Sequence, residues 1–246
     1  MDMHEIAMVE SNTRETRMKE LMRLDNIGVS YPQRQGFLKR AGYWALQDIS
    51  FSIFHGETVG IIGRNGVGKT TLLRLLSNII SPDKGRILRE HGLRTVLLSL
   101  QAGFIPALTG RQNAIISGIT LGLSRQKIES HIEQIVEFSE LGEFIDQPVS
   151  TYSAGMRARL GFSVAMQVKP DVLLIDEVIA VGDEAFRKKS SEVIRERVKA
   201  DETTVLVTHF PQLAKALCNR LIWLENGRIR MIGDVESVLT AYQAAT

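Results

Sequence analysis

Thr58-Val59-Gly60-Ile61-Ile62-Gly63-Arg64-Asn65-Gly66-Val67-Gly68-Lys69-Thr70-Thr71 joins an apolar, strand-like run to the apolar helix expected of Leu72-Leu73-Arg74-Leu75-Leu76. Gly63 to Thr70 fits G-x-x-x-x-G-K-[ST], the phosphate-binding loop. Glycine at 66 and 68 lets the backbone turn its N–H groups inward around phosphate oxygens, in conformations a Cβ would obstruct. A helix opening near Lys69 adds the positive end of its dipole. Lys69 is long enough to reach the β- and γ-phosphates, and the Thr70 hydroxyl can ligate Mg²⁺. The alternative is a glycine-rich turn with a chance lysine, which the flanking strand and helix disfavour. Gly63, Arg64, Asn65, Gly66, Val67, Gly68, Lys69, Thr70 and Thr71 are therefore read as the lining of a nucleoside triphosphate site.

The rest of the chain bounds what such a site serves. Its 246 residues are enough for one large α/β domain with a subdomain. Apolar residues make up 44% and charged residues 24%, as in ordinary globular proteins. A net charge of +2 neither demands nor excludes a nucleic-acid or membrane partner. The single cysteine, Cys218, excludes an intramolecular disulfide framework and a multi-cysteine metal site, and is expected to be a buried structural thiol. The five histidines show no metal-ligand spacing. No apolar run approaches the ~20 residues needed to cross a bilayer, and no signal peptide opens the chain. The expected location is the cytosol, or a membrane surface by way of another subunit.

Residues 1–22 are expected to form a flexible tail, partly helical from Thr13 to Leu21, ahead of one domain over 23–246. Strands are predicted at Leu24 to Tyr31 and Ile49 to Ile53, separated by a basic, aromatic insertion from Pro32 to Trp44. Ser81 to Gly85 is a turn, Thr95 to Leu98 a buried-type strand, and Gln101 to Arg111 a loop. From Gln112 to Val168 helical periodicity takes over, with Ile128, Ile132, Ile135, Val136 and Phe138 to Leu141 near the spacing of one helix face. Strands return at Asp171 to Ile175, Thr204 to Val207 and Leu221 to Leu224. Asn226-Gly227 turns a hairpin into Arg228 to Ile232, before a last short helix. The alternation indicates a parallel α/β core interrupted by a helical insertion.

Three further stretches carry chemistry. Leu173 to Ile175 runs into Asp176-Glu177, where a P-loop enzyme holds Mg²⁺ with the first carboxylate. Glu177 is placed to orient or deprotonate an attacking water. Acidic residues merely capping the next helix are the plainer alternative. A dedicated carboxylate beside the metal suits hydrolysis better than transfer to a kinase substrate. His209 follows a buried strand at the end that lines a ligand crevice, within reach of a γ-phosphate. Tyr152-Ser153-Ala154-Gly155-Met156 precedes an apolar helix, and is either a second anion-binding helix start or a plain cap at Ser153.

With these segments in order, from about Leu24 to Tyr242, the chain resembles the nucleotide-binding subunit of an ABC transporter. Gly63 to Thr70 looks like Walker A, Leu173 to Asp176 like Walker B, and Glu177 like the catalytic glutamate. Tyr152 to Met156 looks like the family signature, usually Leu-Ser-Gly-Gly-Gln, and His209 like the switch histidine. Ala180 to Asp183 sits where the family has its D-loop, and Gln101 is similar to the Q-loop glutamine that helps ligate the metal. Tyr31 is the candidate for the aromatic that stacks on adenine. The resemblance implies a P-loop NTPase core with a mixed sheet, an antiparallel β subdomain and a helical subdomain over about 109–168. It also implies ATP and Mg²⁺ as ligands. A head-to-tail homodimer would sandwich each ATP between one phosphate loop and the partner copy's Ser153, Ala154 and Gly155, beneath a multi-span membrane permease.

Tyr-Ser-Ala-Gly-Met departs from the usual signature toward the Tyr-Ser-Ser-Gly-Met of cell-surface polysaccharide exporters, those for O-antigen, capsule and teichoic acid. Residues 101–113, 176–183 and 217–224 are similar to that group as well. Transport of a lipid-linked polysaccharide is the expectation, on the cytoplasmic face of the membrane and with no nucleic-acid partner. The insertion from Gln33 to Trp44 corresponds in position to a short gate-like helix of these exporters. Arg34, Lys39 and Arg40 would there meet a lipid-linked pyrophosphate, unless they form a solvated basic loop. The chain stops at Thr246, so a C-terminal carbohydrate-binding domain is not expected and substrate selection would fall to the permease. An ABC ATPase for another cargo is the alternative. A soluble ABC ATPase acting on DNA or ribosomes is a weaker one, for want of a coiled coil or tandem units.

Overall fold

The structure, a computed structural model, describes residues 19–35, 39–98, 103–176, 183–200 and 202–245. Two sheets and a helical block divide the described chain. β1 (Glu20–Gln35), β2 (Lys39–Phe54) and β4 (Lys84–Arg89) form an antiparallel sheet in the order β2-β1-β4. β3 (Thr58–Ile62), β5 (Thr95–Leu98), β6 (Val172–Ile175), β7 (Thr203–Val207), β8 (Arg220–Glu225) and β9 (Arg228–Asp234) form the larger sheet. Its order is β5-β6-β7-β3-β8-β9, parallel except for the final hairpin. β3, β6 and β7 are buried at every residue, as continuous Val, Ile and Leu runs demand of strands covered on both faces.

The main core lies between the two sheets. Leu24, Ile27, Leu46 and Ile49 from the antiparallel sheet meet Val59, Ile61 and Val207 from the parallel one. Leu72, Leu73, Leu75 and Leu76 of helix α1 (Lys69–Leu76) complete it, each fully buried. Arg89 of β4 donates from Nη2 to the Leu75 carbonyl at 2.8 Å, closing the C-terminal end of α1 with a cation.

Helices α2 (Gly110–Thr120), α3 (Arg125–Ser130), α4 (Ile132–Ser139) and α5 (Ala154–Ala165) make up the helical block. Its own core holds Ile128, Ile135, Leu160 and Val164. α6 (Glu184–Lys199) and α7 (Pro211–Leu217) return to the sheet, and α8 (Val235–Ala245) packs Val238 and Leu239 against Trp223. No helix among the described residues is long and apolar enough to cross a membrane.

Several expectations change. β1 begins at Glu20, so Glu20, Leu21 and Met22 are strand and neither tail nor helix, while the rest of the expected tail, residues 1–18, lies outside the described residues. β4 is an additional strand, hidden because only one face of Lys84–Arg89 meets the core and its polar face breaks the apolar signal. The expected single helix face from Ile128 to Leu141 is broken at His131, where φ −102 and ψ 2 end α3 and begin α4. The described ends of the basic insertion belong to the β1–β2 ladder and not to a helix: Gln33 pairs with Ala41, Arg34 with Arg40 and Gln35 with Lys39. Phe37 lies outside the described residues.

Glu57 anchors the turn into β3. Its carboxylate, only 6% exposed, takes Arg220 Nε at 2.9 Å and the Phe54 N–H at 2.6 Å. Glu57→Ala leaves the Arg220 guanidinium without its partner in a site where the charge is mostly withdrawn from water. It is expected to destabilise the chain by about 3 kcal/mol in urea unfolding.

Candidate active site

The phosphate loop from Gly63 to Gly68 leaves the C-terminal end of β3 and enters α1. Its shape depends on left-handed glycines. Gly63 has φ +152, and a Cβ there would lie 2.3 Å from the Leu224 carbonyl oxygen. Gly68 has φ +104, and its Cβ would lie 2.5 Å from the Ala45 carbonyl oxygen. Gly66, at φ +80, faces open space. Arg64, Asn65, Gly66 and Thr70 are exposed, while Val67, Gly68 and Thr71 are half-buried.

α1 begins without a capping side chain, as α4 and α7 also do. Thr109, Ser124, Ser153 and Asp183 each cap their helix with a side-chain oxygen. Gly68 offers α1 none, so the opening N–H groups face no capping side chain and remain available to an anion. Lys69 Nζ crosses the loop to the carbonyls of Gly63 at 2.8 Å and Arg64 at 2.9 Å. Burial lowers its pKa, and the nearby Asp176 carboxylate acts in the opposite sense. An ammonium with so little water around it interacts strongly with any phosphate entering the loop.

The sheet register gathers the other groups at the same end. Ile61 pairs with Val207 and its carbonyl accepts the Thr208 N–H at 3.2 Å, so His209 leaves β7 at the sheet end from which the phosphate loop leaves β3. His209 is exposed there. Asp176 follows β6, whose Ile175 pairs with Leu206, and its Oδ2 accepts from the Thr70 hydroxyl at 3.4 Å. A hydroxyl and a carboxylate oxygen so close make an all-oxygen donor pair that suits a hard cation such as Mg²⁺. Gln101 and Glu177, together with Ala180, Val181 and Gly182, lie outside the described residues.

Ser153 is the cap of α5, accepting the Met156 N–H at 3.1 Å, and is exposed with Ala154. Tyr152, which begins the same stretch, is instead a core residue of the helical block, and burial raises its pKa. Thr70 and Asp176 line one cleft of about 730 Å³, whereas Ser153, Gly155 and Asp183 line another of about 280 Å³. Asp183 is committed within the chain: Oδ1 caps α6 through the Phe186 N–H at 3.0 Å, and Oδ2 accepts from Arg159. The Phe186 N–H, and secondarily Arg159, hold its carboxyl below the usual range.

Tyr31 is exposed on β1 and stands directly opposite Tyr43 of β2, which is exposed as well. Tyr43 lies two residues from Ala45, whose carbonyl abuts Gly68. In the sequence Tyr43 lies within the basic, aromatic insertion, and only the strand register pairs it with Tyr31. Cys218 ends α7 against Gly60, where an added Cβ would lie 2.7 Å from Sγ. Burial pushes that thiol up to about 12, as suits an inert structural cysteine.

A phosphate loop at the C-terminal edge of a mainly parallel sheet, with a carboxylate on the strand two places across, defines a P-loop nucleoside triphosphatase. The model of the ABC transporter family matches residues 46–180, and the chain belongs to that family. Among its relatives is the O-antigen export system ATP-binding protein RfbB of Klebsiella pneumoniae, 46% identical over 218 residues, 88% of each chain. Another is the teichoic acids export ATP-binding protein TagH of Bacillus cereus, 39% identical over 82% of this chain but only 36% of that one. Among solved structures, a dimeric ATP-binding cassette bound to ADP and Pi superposes with a TM-score of 0.72 at 21% identity. That match covers 87% of this chain and 99% of the other. The protein is an ATPase of a transporter, and its fold is that of the ABC cassettes.

Lys69→Ala removes the one buried cation of the loop. Nucleotide affinity is expected to fall about 10- to 100-fold in equilibrium titration with a fluorescent ATP analogue, as for the loss of a charged hydrogen bond.

Proposed function

We propose that this chain powers the export of a lipid-linked polysaccharide, as a head-to-tail homodimer held by a multi-span permease at the cytoplasmic face of the membrane. The observation that carries the reading is a divided site. Thr70 and Asp176 line one cleft, and Ser153 and Gly155 at the start of α5 line another, so each chain holds two incomplete halves. Two copies placed head to tail bring unlike halves together. The cargo follows from the chain's relation to export ATP-binding proteins named for O-antigen and teichoic acids.

The residues divide the work by position. The α1 N–H groups and Lys69 hold the phosphates. Thr70 and Asp176 fit Mg²⁺, and Gln101 is a further candidate ligand. When bound, the metal draws charge from the phosphate oxygens. Glu177 takes the proton of the attacking water and His209 keeps that water in line. Tyr31 and Tyr43 offer the adenine an aromatic surface beside the loop. Ser153 and Gly155 of a second copy close the γ-phosphate side, while Ala154 brings no hydroxyl. Closure on ATP and reopening after hydrolysis then drive the permease.

The hairpin carrying Arg34, Lys39 and Arg40 extends beyond β4, whose pairing with β1 ends at Gly28. We assign it to the pyrophosphate of the lipid carrier at the permease entrance.

Glu177→Gln is expected to slow ATP hydrolysis by about 100-fold or more while ATP stays bound and holds a dimer in sedimentation velocity. Normal turnover removes Glu177 from this role. Replacing Arg34, Lys39 and Arg40 together by Gln should lower glycan export in cells and retain ATP hydrolysis. Undiminished export refutes the hairpin assignment.

A further inference from the structure

On the outer face of the antiparallel sheet, away from the core, two bulges lie one step apart on facing strands. Leu24 pairs with Phe51 and Ile27 with Ile49, so Asp25 and Asn26 together face Ser50. Val29 then pairs with Leu46, so Gln47 and Asp48 together face Gly28. Asn26 and Asp48 take left-handed conformations, at φ +49 and φ +53. Leu24, Ile27, Leu46 and Ile49 keep to the core, whereas Asn26 and Asp48 are exposed. Bulges re-aim side chains, and these open a hollow of about 240 Å³. Trp44 forms one wall, its ring so close over Gly28 that a Cβ there would stand 2.9 Å from Cζ3. Arg228 of the β8–β9 hairpin forms another. Tyr43 and Trp44 follow one another in regular register, so the hollow lies on the opposite face of the sheet from the Tyr31–Tyr43 pair.

Packing accounts for an indole over a glycine, but not for the polar groups around it. Arg228 is fully engaged: Nη1 donates to Asp48 Oδ2, and Nη2 to Gln47 Oε1 at 2.6 Å. Asn26 Oδ1 accepts from the Ser50 hydroxyl at 3.3 Å. Among the described residues, the amide nitrogens of Asn26 and Gln47, Asp48 Oδ1 and the Lys84 ammonium make no hydrogen bond. Lys84 Nζ stands 4.6 Å from the Trp44 ring centroid, on an exposed and flexible side chain. The hollow therefore joins one apolar plate to three donors and one acceptor. A planar aromatic ligand would use the plate and leave those groups unpaired. A phosphate would find the Arg228 fork taken and the Asp48 carboxylate repelling it. A pyranose meets both demands. Its C–H face lies on an aromatic plate, and its hydroxyl rim gives and accepts hydrogen bonds.

We propose that this hollow is a binding site for one pyranose unit of a glycan. The ring lies on Trp44 in the place the Lys84 ammonium now holds. Asn26, Gln47 and Lys84 donate to its oxygens, and Asp48 Oδ1 accepts from a hydroxyl. The site is separate from the nucleotide cleft, and it needs neither a second copy of the chain nor the export reading.

Tryptophan emission of the full-length chain tests this, because Trp44 lines the hollow while Trp223, the other tryptophan, is only 3% exposed. The chain is titrated with galactose, mannose, N-acetylglucosamine and glucuronate, and with mannitol and inorganic phosphate as controls. Saturation-transfer NMR with the same four sugars reads binding independently of emission. At least one pyranose should bind saturably, with a dissociation constant on the order of 1 mM, as for a single small ring on an open site. Mannitol and phosphate should leave the emission unchanged. Trp44→Phe should abolish the emission change. Asn26→Gly deletes one donor at a left-handed position that glycine adopts freely, so it decides the matter if Trp44→Phe fails to fold. It should weaken the sugar about 3- to 10-fold and leave ATP hydrolysis unchanged. No saturable binding of any of the four sugars by either method overturns the site. An emission change that survives in Trp44→Phe, or an affinity untouched by Asn26→Gly, overturns it as well. An equal response to mannitol rejects recognition of a ring, and an equal response to phosphate makes the hollow an anion site instead.

Discussion

The carbonyl of Ala45 is the point on which the site is built. Across the step from Val29 to Ser30, β1 advances one residue while β2 passes from Leu46 to Trp44, so Ala45 is the extra residue of a bulge. Its carbonyl lies where a Cβ on Gly68 or on Gly227 would collide with it, at 2.5 and 2.8 Å. The Gly227 carbonyl in turn accepts the Gln47 N–H at 2.7 Å. The antiparallel sheet, the phosphate loop and the β8–β9 turn therefore approach backbone to backbone at one place. Gly63 is held in the same way against Leu224 on the other side. With glycine at both ends of the loop and main chain pressed against each, the loop's curvature is set by its neighbours before any nucleotide enters. Preorganised N–H donors of this kind need no reorganisation when charge arrives.

A second constraint ties the helical block to the sheet domain through side chains at helix starts. Ser153 spends its oxygen on the cap of α5, and that cap keeps the exposed helix start ordered. Asp183 spends both oxygens inside the chain, one on α6 and one on Arg159. The helical block is consequently attached to the sheet domain by a directional ionic contact. An attachment of that kind lets a rigid block move as a unit against a rigid sheet.

Local chemistry made much of this legible from residues alone. The phosphate loop, the strand into Asp176, the Asn226-Gly227 hairpin and the Ser153 cap are each specified within a few neighbours, by glycine conformation, burial or a short side chain. The parallel core and the helical block followed from apolar periodicity, and both are present. β4 was missed because a strand with one polar face at a sheet edge resembles a turn followed by charged residues. The break at His131 was missed because Ile128 and Ile135 keep their faces buried on two helices as well as they would on one. The insertion looked like a separate element because alternation at the end of a hairpin has no core to report.

By itself, then, the sequence determined the strand–loop–helix unit from Thr58 to Leu76, since spacing along such a unit converts directly into position. Only the tertiary structure decided which distant residues frame that unit. The bulge at Ala45, the pairing of Tyr31 with Tyr43 and the Arg159–Asp183 contact each depend on strand register or helix packing. Those are set by burial summed over whole elements, and no short stretch of residues encodes them.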